Sequence, residues 1–282
     1  MSCTCLKPSI ILLKNPCKPK SQSHVPHRSA NQSMDPNTIT LTTQHLVFAL
    51  LLLVFCIISP SASSNSTTDQ LSLIHFKSSI TADPHRILDS WTPNNSFCNW
   101  TGIVCGPAHG HQQRVVALRL PGLSLSGNLS PHIANVSFLR YLDLQNNTLN
   151  GRIPSSLSSC SELLYLDLSR NAFEGLIPPE LSSLQKLQVL TLERNRLTGP
   201  IPSSFGNLSS LDNLILLRNN LNGSIPAELG RLKRLRNLQV SSNRLTGEIP
   251  PPLFNLSSLK ELKSNKQHAD GSSPIRSLLQ TA

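Results

Sequence analysis

The chain is short of charge and of aromatic rings. Only 14% of its 282 residues are charged and 4% are aromatic, against about 25% charged residues in ordinary soluble domains. A core with so few rings has to be filled by aliphatic side chains, and 50 residues are leucine. One dominant aliphatic points to a repeated packing unit, not to the two globules that length suggests at about 150 residues per domain. Catalytic signatures are also missing: no glycine-rich phosphate loop, no G-x-S-x-G, no H-E-x-x-H, and no Asp after His85-Arg86 to make a kinase catalytic loop. Mean hydropathy is −0.10, which excludes a polytopic membrane protein.

Apolar runs are scarce as well. The longest spans residues 46–58, LVFALLLLVFCII, and falls short of the roughly 20 residues that cross a bilayer. Followed by Ser61, Ala62, Ser63 and Ser64, it reads as the h-region of a secretory signal, with residues 1–64 as a leader. An uncleaved signal anchor is the competing reading. The segment before it is long for an n-region, and Met34 offers a second start, at the cost of placing Asp35 in the leader's charged part. Lys7, Lys14, Lys18, Lys20 and Arg28 against Asp35 give the leader +4 of the total +10, leaving +6 on residues 65–282. That excess forms no dense basic run and is not interleaved with aromatics, so no nucleic-acid partner is expected.

What the sequence has is a period. Leu118, Leu142, Leu166, Leu190, Leu214, Leu238 and Leu262 are 24 residues apart, as are Asn147, Asn171, Asn195, Asn219 and Asn243. The glycines from Gly127 to Gly247 and the prolines from Pro154 to Pro250 keep the same step, so four columns are in phase. The unit reads LxxLxLxxNxLxGxIPxxLxxLxx. Leu142-Asp143-Leu144 alternates apolar and polar, the pattern of a short half-buried strand. Stacked units would lay these strands side by side about 4.8 Å apart. The Asn column is expected to turn inward and bond backbone groups of neighbouring turns. Gly151 and its copies would permit a bend, and Pro154 and its copies would open a non-sheet return path. The first unit is degenerate, with Leu123 at the Asn position. The last starts at Leu259 and fails at Ser264.

The unit, with its Ile153-Pro154 step, resembles the plant-type leucine-rich repeat. The stretch DQLSLIHFKSSITADPHRILDSW…FCNWTGIVC resembles the N-terminal cap of plant leucine-rich-repeat receptor kinases. The resemblance implies an α/β fold: a right-handed leucine-rich-repeat solenoid with a parallel sheet on its concave face, a short 3-10 or irregular convex side, and a helical cap. The expected organisation is a cap over 65–113, six repeats and a broken seventh over 114–262, and a disordered tail over 263–282. In the cap, Asp69 is expected to start a helix carrying Leu71, Leu73, Ile74, Phe76 and Ile80, broken at Asp83-Pro84. The family pairs its cap cysteines, which implies a Cys98–Cys105 disulfide. His109 and His111 raise a metal site as the alternative, but C-x6-C-x3-H-x-H matches no common zinc pattern. Cys160, in a column otherwise of leucines, is expected to be a buried free thiol. Sequons stand at Asn65, Asn94, Asn99, Asn128, Asn135, Asn146, Asn207, Asn222 and Asn255.

With no metal, cofactor or catalytic residue expected, function should lie on the strand face. Its columns offer Tyr141 and Tyr165, Asp143 and Asp167, and the apolar pair Ile215 and Leu217 as a contact patch. The carboxylates read as a solvated or ligand-facing ladder. Arg170, Arg194 and Arg218 form a basic column with Glu193 as a possible partner. Arg194-Asn195-Arg196 resembles the Arg-x-Arg pair with which some receptors of this superfamily hold a peptide C-terminal carboxylate. The implied function is extracellular recognition of a peptide or protein ligand in signalling or defence, secreted or at the plasma membrane, with a leucine-rich-repeat co-receptor as a further partner. The alternatives are an inhibitor of a secreted cell-wall hydrolase, as the polygalacturonase-inhibiting proteins are, and the front part of an incompletely read receptor serine/threonine kinase.

Overall fold

The computed structural model describes residues 66–107 and 113–264. The leader, Met34, Asn65, His109, His111 and residues 265–282 lie outside that range.

Each coil opens with a three-residue strand whose middle leucine points inward. These strands are β5 (Tyr141–Asp143), β7 (Tyr165–Asp167), β9 (Val189–Thr191), β11 (Asn213–Ile215), β13 (Asn237–Gln239) and β14 (Glu261–Lys263). They pair in parallel, with Leu142, Leu166, Leu190, Leu214, Leu238 and Leu262 in register. At the N-terminal end the sheet is completed by β3 (Gln113–Arg119), parallel to β5, and β2 (Ile103–Pro107), antiparallel to β3. Lys263 therefore belongs to a strand, so the seventh coil's strand runs one residue past the expected boundary at 262.

After each strand the chain turns at the Asn column, and the expected ladder is present. The Asn195 Oδ1 accepts from the Phe173 N–H at 3.0 Å, while its Nδ2 donates to the carbonyls of Leu168 at 2.9 Å and Leu192 at 3.1 Å. Asn219 then donates to that same Leu192 carbonyl at 2.9 Å. The carbonyls of Leu144, Leu168, Leu192 and Leu216 are each shared by two asparagines, one from their own coil and one from the next, and these coils are stitched into a continuous chain of amides.

The return path differs from expectation. Instead of running straight into a non-sheet segment, the chain forms a second sheet: β1 (Ile80–Ala82), β4 (Ser126–Asn128), β6 (Thr148–Arg152), β8 (Ala172–Leu176), β10 (Arg196–Gly199) and β12 (Asn220–Leu221), in that order. The cause is the 24-residue step itself. Equal coil lengths bring extended backbone of successive coils side by side twice per turn, and unpaired N–H and C=O groups there would otherwise cost stability. Thr148, Leu149 and Asn150 alternate exposed, buried, exposed, as one side of such a sheet requires. Gly151 and its copies sit at φ +75° to +79°, so their bend is made within or beside these strands. Only then do the prolines act as expected: Pro154, Pro178, Pro202 and Pro226 each precede a five-residue 3-10 turn, and Pro250 precedes a short helix, α2 (Pro251–Phe254).

The cap is helix α1 (Ser66–Ser78) followed by β1, which pairs antiparallel with β4. Gly127 of β4 has φ +127°, and a Cβ there would collide with the Ser79 carbonyl, so this junction accepts only glycine. Two cap expectations are corrected, those for Asp69 and Ile80. Asp69 lies inside the helix, fully buried; it takes a bidentate pair from Arg114 at 2.7 and 2.8 Å and the Val115 N–H at 2.9 Å. A buried carboxylate needs such partners. Ile80 belongs to β1, not the helix, whereas Leu71 is on the helix as expected, on its exposed side. Asp83 does end the segment, accepting the N–H groups of Ile87 and Leu88. Cys98 and Cys105 form a disulfide that ties the turn Phe97–Asn99 to β2. Trp91 and Trp100, both buried, stack at 5.4 Å. Among the described residues no helix is long and apolar enough to cross a membrane.

Candidate ligand-binding face

The first sheet exposes what the leucines leave over. Side chains flanking each inward leucine point to the other side, so the residues that form the face are set by the strand period, while their identity is free of the core. At the N-terminal end the rings of Tyr141 and Tyr165 lie 6.3 Å apart, and the Arg119 guanidinium sits 5.0 Å over the Tyr141 ring. Arg119 was not among the expected site residues. It occupies the first position of the Asp143 column, one step before Asp143, and the degeneracy of the first coil hid it.

The two carboxylates behave differently from an open ladder. Asp167 is buried, accepting the Tyr165 hydroxyl at 3.1 Å and the Ser169 N–H at 2.9 Å. Asp143 is half-buried. Burial pushes its carboxyl above the ordinary range, the Asp167 carboxylate adds to that, and the Gln145 N–H and side chain oppose it. Burial also raises the Tyr165 phenol, as do the charge of Asp167 and the hydrogen bond to it. Asp167 and Tyr165 therefore brace each other, and Asp143 is the carboxyl left at the surface of this end.

Further along, Val189, Asn213, Ile215, Asn237 and Gln239 make a flatter, mixed surface, all half-buried, with Thr191 buried among them. Ile215 and Leu217 face outward but are half-covered. Among the described residues the large exposed apolar side chains are Leu71, Val104 and Leu176. Leu176, in β8 on the second sheet, had a signal in sequence: its column reads Asn128, Arg152, Leu176, Pro200, Ser224, Glu248.

The basic column is placed elsewhere. Arg170, Arg194 and Arg218 are not on strands but at the corner between the two sheets, each with φ between +52° and +57°. Arg170 pairs with Glu193 at 3.5 Å, as the neighbouring columns foretold. Arg196 opens β10 on the second sheet, so Arg194 and Arg196 straddle the buried Asn195 instead of standing together on a strand. All eight described sequon asparagines, Asn94, Asn99, Asn128, Asn135, Asn146, Asn207, Asn222 and Asn255, are exposed. Asn146 is the one at the corner beside the first sheet; Asn135 and Asn207 end 3-10 turns on the return side. Cys160 is a buried free thiol, its pKa pushed up to about 12 by burial. Among the described residues no cluster of metal-ligating side chains is present.

Comparison with known proteins agrees with this architecture. The family model for the leucine-rich repeat region matches residues 111–280, and that for the leucine-rich repeat N-terminal domain matches 66–106. The LRR receptor-like serine/threonine-protein kinase EFR of Arabidopsis thaliana is 42% identical over 99 residues, which is 35% of this chain and 9% of EFR. The PEPR1–AtPEP1 crystal structure superposes with a TM-score of 0.65 at 37% identity, over 70% of this chain and 28% of that one. The BIR2 ectodomain of Arabidopsis thaliana gives 0.57 at 33% identity, over 64% of this chain and 95% of that one. The chain thus spans less than a tenth of EFR and somewhat more than a quarter of the PEPR1 chain. It belongs to the leucine-rich-repeat family, and its cap and coils are of the kind carried by the ectodomains of plant receptor-like kinases.

Proposed function

We propose that this chain is an extracellular recognition module that binds a peptide or protein ligand across the first sheet, without catalysing a reaction. The observation that carries this is the division of labour between columns. Leucine, asparagine, glycine and proline recur wherever the coil must close, whereas the outward positions change from Tyr141 to Val189 to Asn237 and from Asp143 to Ile215 to Gln239. Variable side chains on a rigid sheet are what a recognition surface needs. The similar ectodomain of the Arabidopsis receptor kinase HAESA, solved in complex with an IDA peptide hormone ligand, supports a peptide as the ligand class. Tyr141, Asp143 and Tyr165 would form an aromatic, acidic end, with buried Asp167 holding the Tyr165 hydroxyl and Ile215 and Leu217 as apolar contacts further along. Six strands at about 4.8 Å give a face near 30 Å, room for about nine extended residues. The structure of HAESA with the peptide hormone IDA and the co-receptor SERK1 supports a co-receptor as a further partner. The leader and the exposed sequons support secretion or a plasma-membrane setting, and signalling or defence as the context.

The test is a glycan wedge. Ile215→Thr converts Asn213-Leu214-Ile215 into a sequon on β11 and places a glycan in the middle of the face. Wild-type and wedge chains, the latter checked by mass for the added glycan, are screened against a displayed library of random nonapeptides. Wild type should enrich a family of peptides that the wedge chain does not hold. Enrichment of the same peptides with equal affinity by both chains, or of none by wild type, refutes the reading.

A further inference from the structure

The relief of the second sheet's outer edge follows from one column. Asn128, Arg152, Leu176, Pro200, Ser224 and Glu248 each stand one residue past a glycine of the repeat. A long side chain in this column lies over the glycine of the next coil. Arg152 rests against Gly175 and Leu176 against Gly199, where an added Cβ would run into the leucine methyl. Further on the column shortens. Pro200 and Ser224 come no nearer than 3.6 and 3.5 Å to where a Cβ on Gly223 or Gly247 would stand. There the surface opens into a groove of about 870 Å³ lined by Pro200, Gly223, Ser224, Pro226 and Glu248.

The column thus carries a knob and a hole, one coil to either side of Pro200. The knob is Leu176, 60% exposed. A single exposed leucine is ordinary, and what sets this one apart is its placement. The charges keep the same symmetry: Arg152 stands two coils before Pro200 and Glu248 two coils after it. Both are exposed, and among the described residues neither makes an ion pair. A two-fold axis lying in the surface across Pro200 reverses the column. It sets Arg152 of one copy on Glu248 of the other and Leu176 on the slot beside Ser224, and it makes each match twice. Such self-complementarity is what an isologous interface needs. Parallel pairing would instead set Arg152 on Arg152, with like charges opposed.

We propose that this column is a homodimer interface, in which Leu176 of each copy enters the groove of the other and Arg152 pairs with Glu248 at both ends. The first sheet takes no part, so the interface stands or falls independently of the peptide-binding reading. The sequon Asn222-Gly223-Ser224 runs into the groove wall. A glycan on exposed Asn222 would hold the copies apart, so pairing belongs to the chain left bare at that residue. One edge of one sheet makes a small contact, of the transient class below about 1,200 Å². Its charges fix direction more than strength.

The test is sedimentation of the full secreted chain over a range of concentrations, with occupancy of Asn222 read by peptide mass. The Asn222→Gln chain should associate to a dimer and no further, and wild type should do so only in its fraction bare at Asn222. In the Asn222→Gln background, Leu176→Ser should weaken the dimer at least about a hundredfold, because each copy loses a buried leucine worth about tenfold or more. Arg152→Glu sets acid against acid at both ends and Glu248→Arg sets base against base, so each variant alone should sediment as a monomer. Mixed in equal amounts they should form a heterodimer, since every end then joins acid to base. That recovery also shows both variants to be folded. Adding Leu176→Ser to both should abolish it. A monomeric Asn222→Gln chain, growth beyond two copies, a dimer indifferent to Leu176→Ser or to either charge reversal, or a mixture that stays monomeric overturns the interface. So does equal pairing by chains fully glycosylated at Asn222. A mixture that pairs without Leu176 overturns it too, since the attraction would then be one of charge alone.

Discussion

Removing one amide from the asparagine ladder should cost far more than its size suggests, and Asn195→Ala is the place to measure it. Four hydrogen bonds end on this side chain: one accepted from the Phe173 N–H and three donated, to Leu168, Leu192 and Glu193. The loss of the acceptor strands a buried N–H, worth about 1–3 kcal/mol. The Leu168 and Leu192 carbonyls keep their other donors, Asn171 and Asn219, so each loses one bond of two, at about 0.5–1.5 kcal/mol apiece. The sum is about 2–6 kcal/mol, a large fraction of the roughly 5–15 kcal/mol that holds a typical domain. Urea unfolding of the secreted chain should show the midpoint falling with the slope unchanged, since the same surface is exposed. Asn195→Asp sharpens the test: its carboxylate can accept from Phe173 but must face three carbonyl oxygens, so it should do no better than alanine. A loss below about 1 kcal/mol for Asn195→Ala at unchanged slope would mean that water or a shifted backbone replaces the amide, and the ladder would not be what joins the coils.

Four further outcomes follow from single sites. Asp69→Ala takes the carboxylate from buried Arg114 and from the Val115 N–H, and should cost about 3–5 kcal/mol by chemical unfolding; a surface-like loss would refute the buried pair. Gly127→Ala forces a Cβ onto the Ser79 carbonyl at φ +127°, and should lower Tm and loosen hydrogen-exchange protection in β1 first. Cys160, with its thiol at about 12, should resist thiol reagents in the native chain and react on unfolding, as read by mass spectrometry; rapid native labelling would contradict its burial. The raised Asp143 carboxyl binds its proton more readily folded than unfolded, so the fold gains stability as pH drops from that raised value toward the ordinary one of about 3.9. The difference between wild type and Asp143→Asn across an acid titration should show that gain, and its reverse sign would refute the assignment.

The parts of the fold legible in sequence were those that every coil must repeat. The leucines, asparagines, glycines and prolines are each fixed by a steric or hydrogen-bonding demand that recurs every 24 residues, so their columns stand out against variable neighbours. Leu123 shows the rule by exception. An amide there would look for partners 22 and 27 residues back, at Thr101 and Ser96 of the cap, and the Thr101 N–H is already taken by the Ser90 hydroxyl; leucine packs against the core instead. The second sheet was less legible because its strands, such as Thr148–Arg152, are polar on one side and contain glycine, which marks bends more often than pairing. The buried Asp69–Arg114 pair was illegible for a different reason. The two residues are 45 positions apart in segments that do not repeat, so no column announced them, and Asp at a helix start has an ordinary local explanation.

The candidate site was legible only as far as position, because facing outward is a property of the period while exposure is a property of neighbours. Asp143 and Asp167 occupy the same column, yet Asp167 is buried under the hydroxyl of Tyr165 and Asp143 is not. The arginines make the same point about direction. Counting along the repeat puts Arg170, Arg194 and Arg218 three residues past each strand, but only the backbone shows that this place is a left-handed corner. Once it is known to be one, the choice of residue becomes informative. A strand position tolerates many side chains at little cost, so an arginine there says little. A left-handed corner costs roughly 1–2 kcal/mol for a residue with a Cβ that makes no local bond, so three arginines in succession stand against the backbone's preference. One of them is neutralised by Glu193, and the other two are left with their charge facing solvent at a fixed spacing.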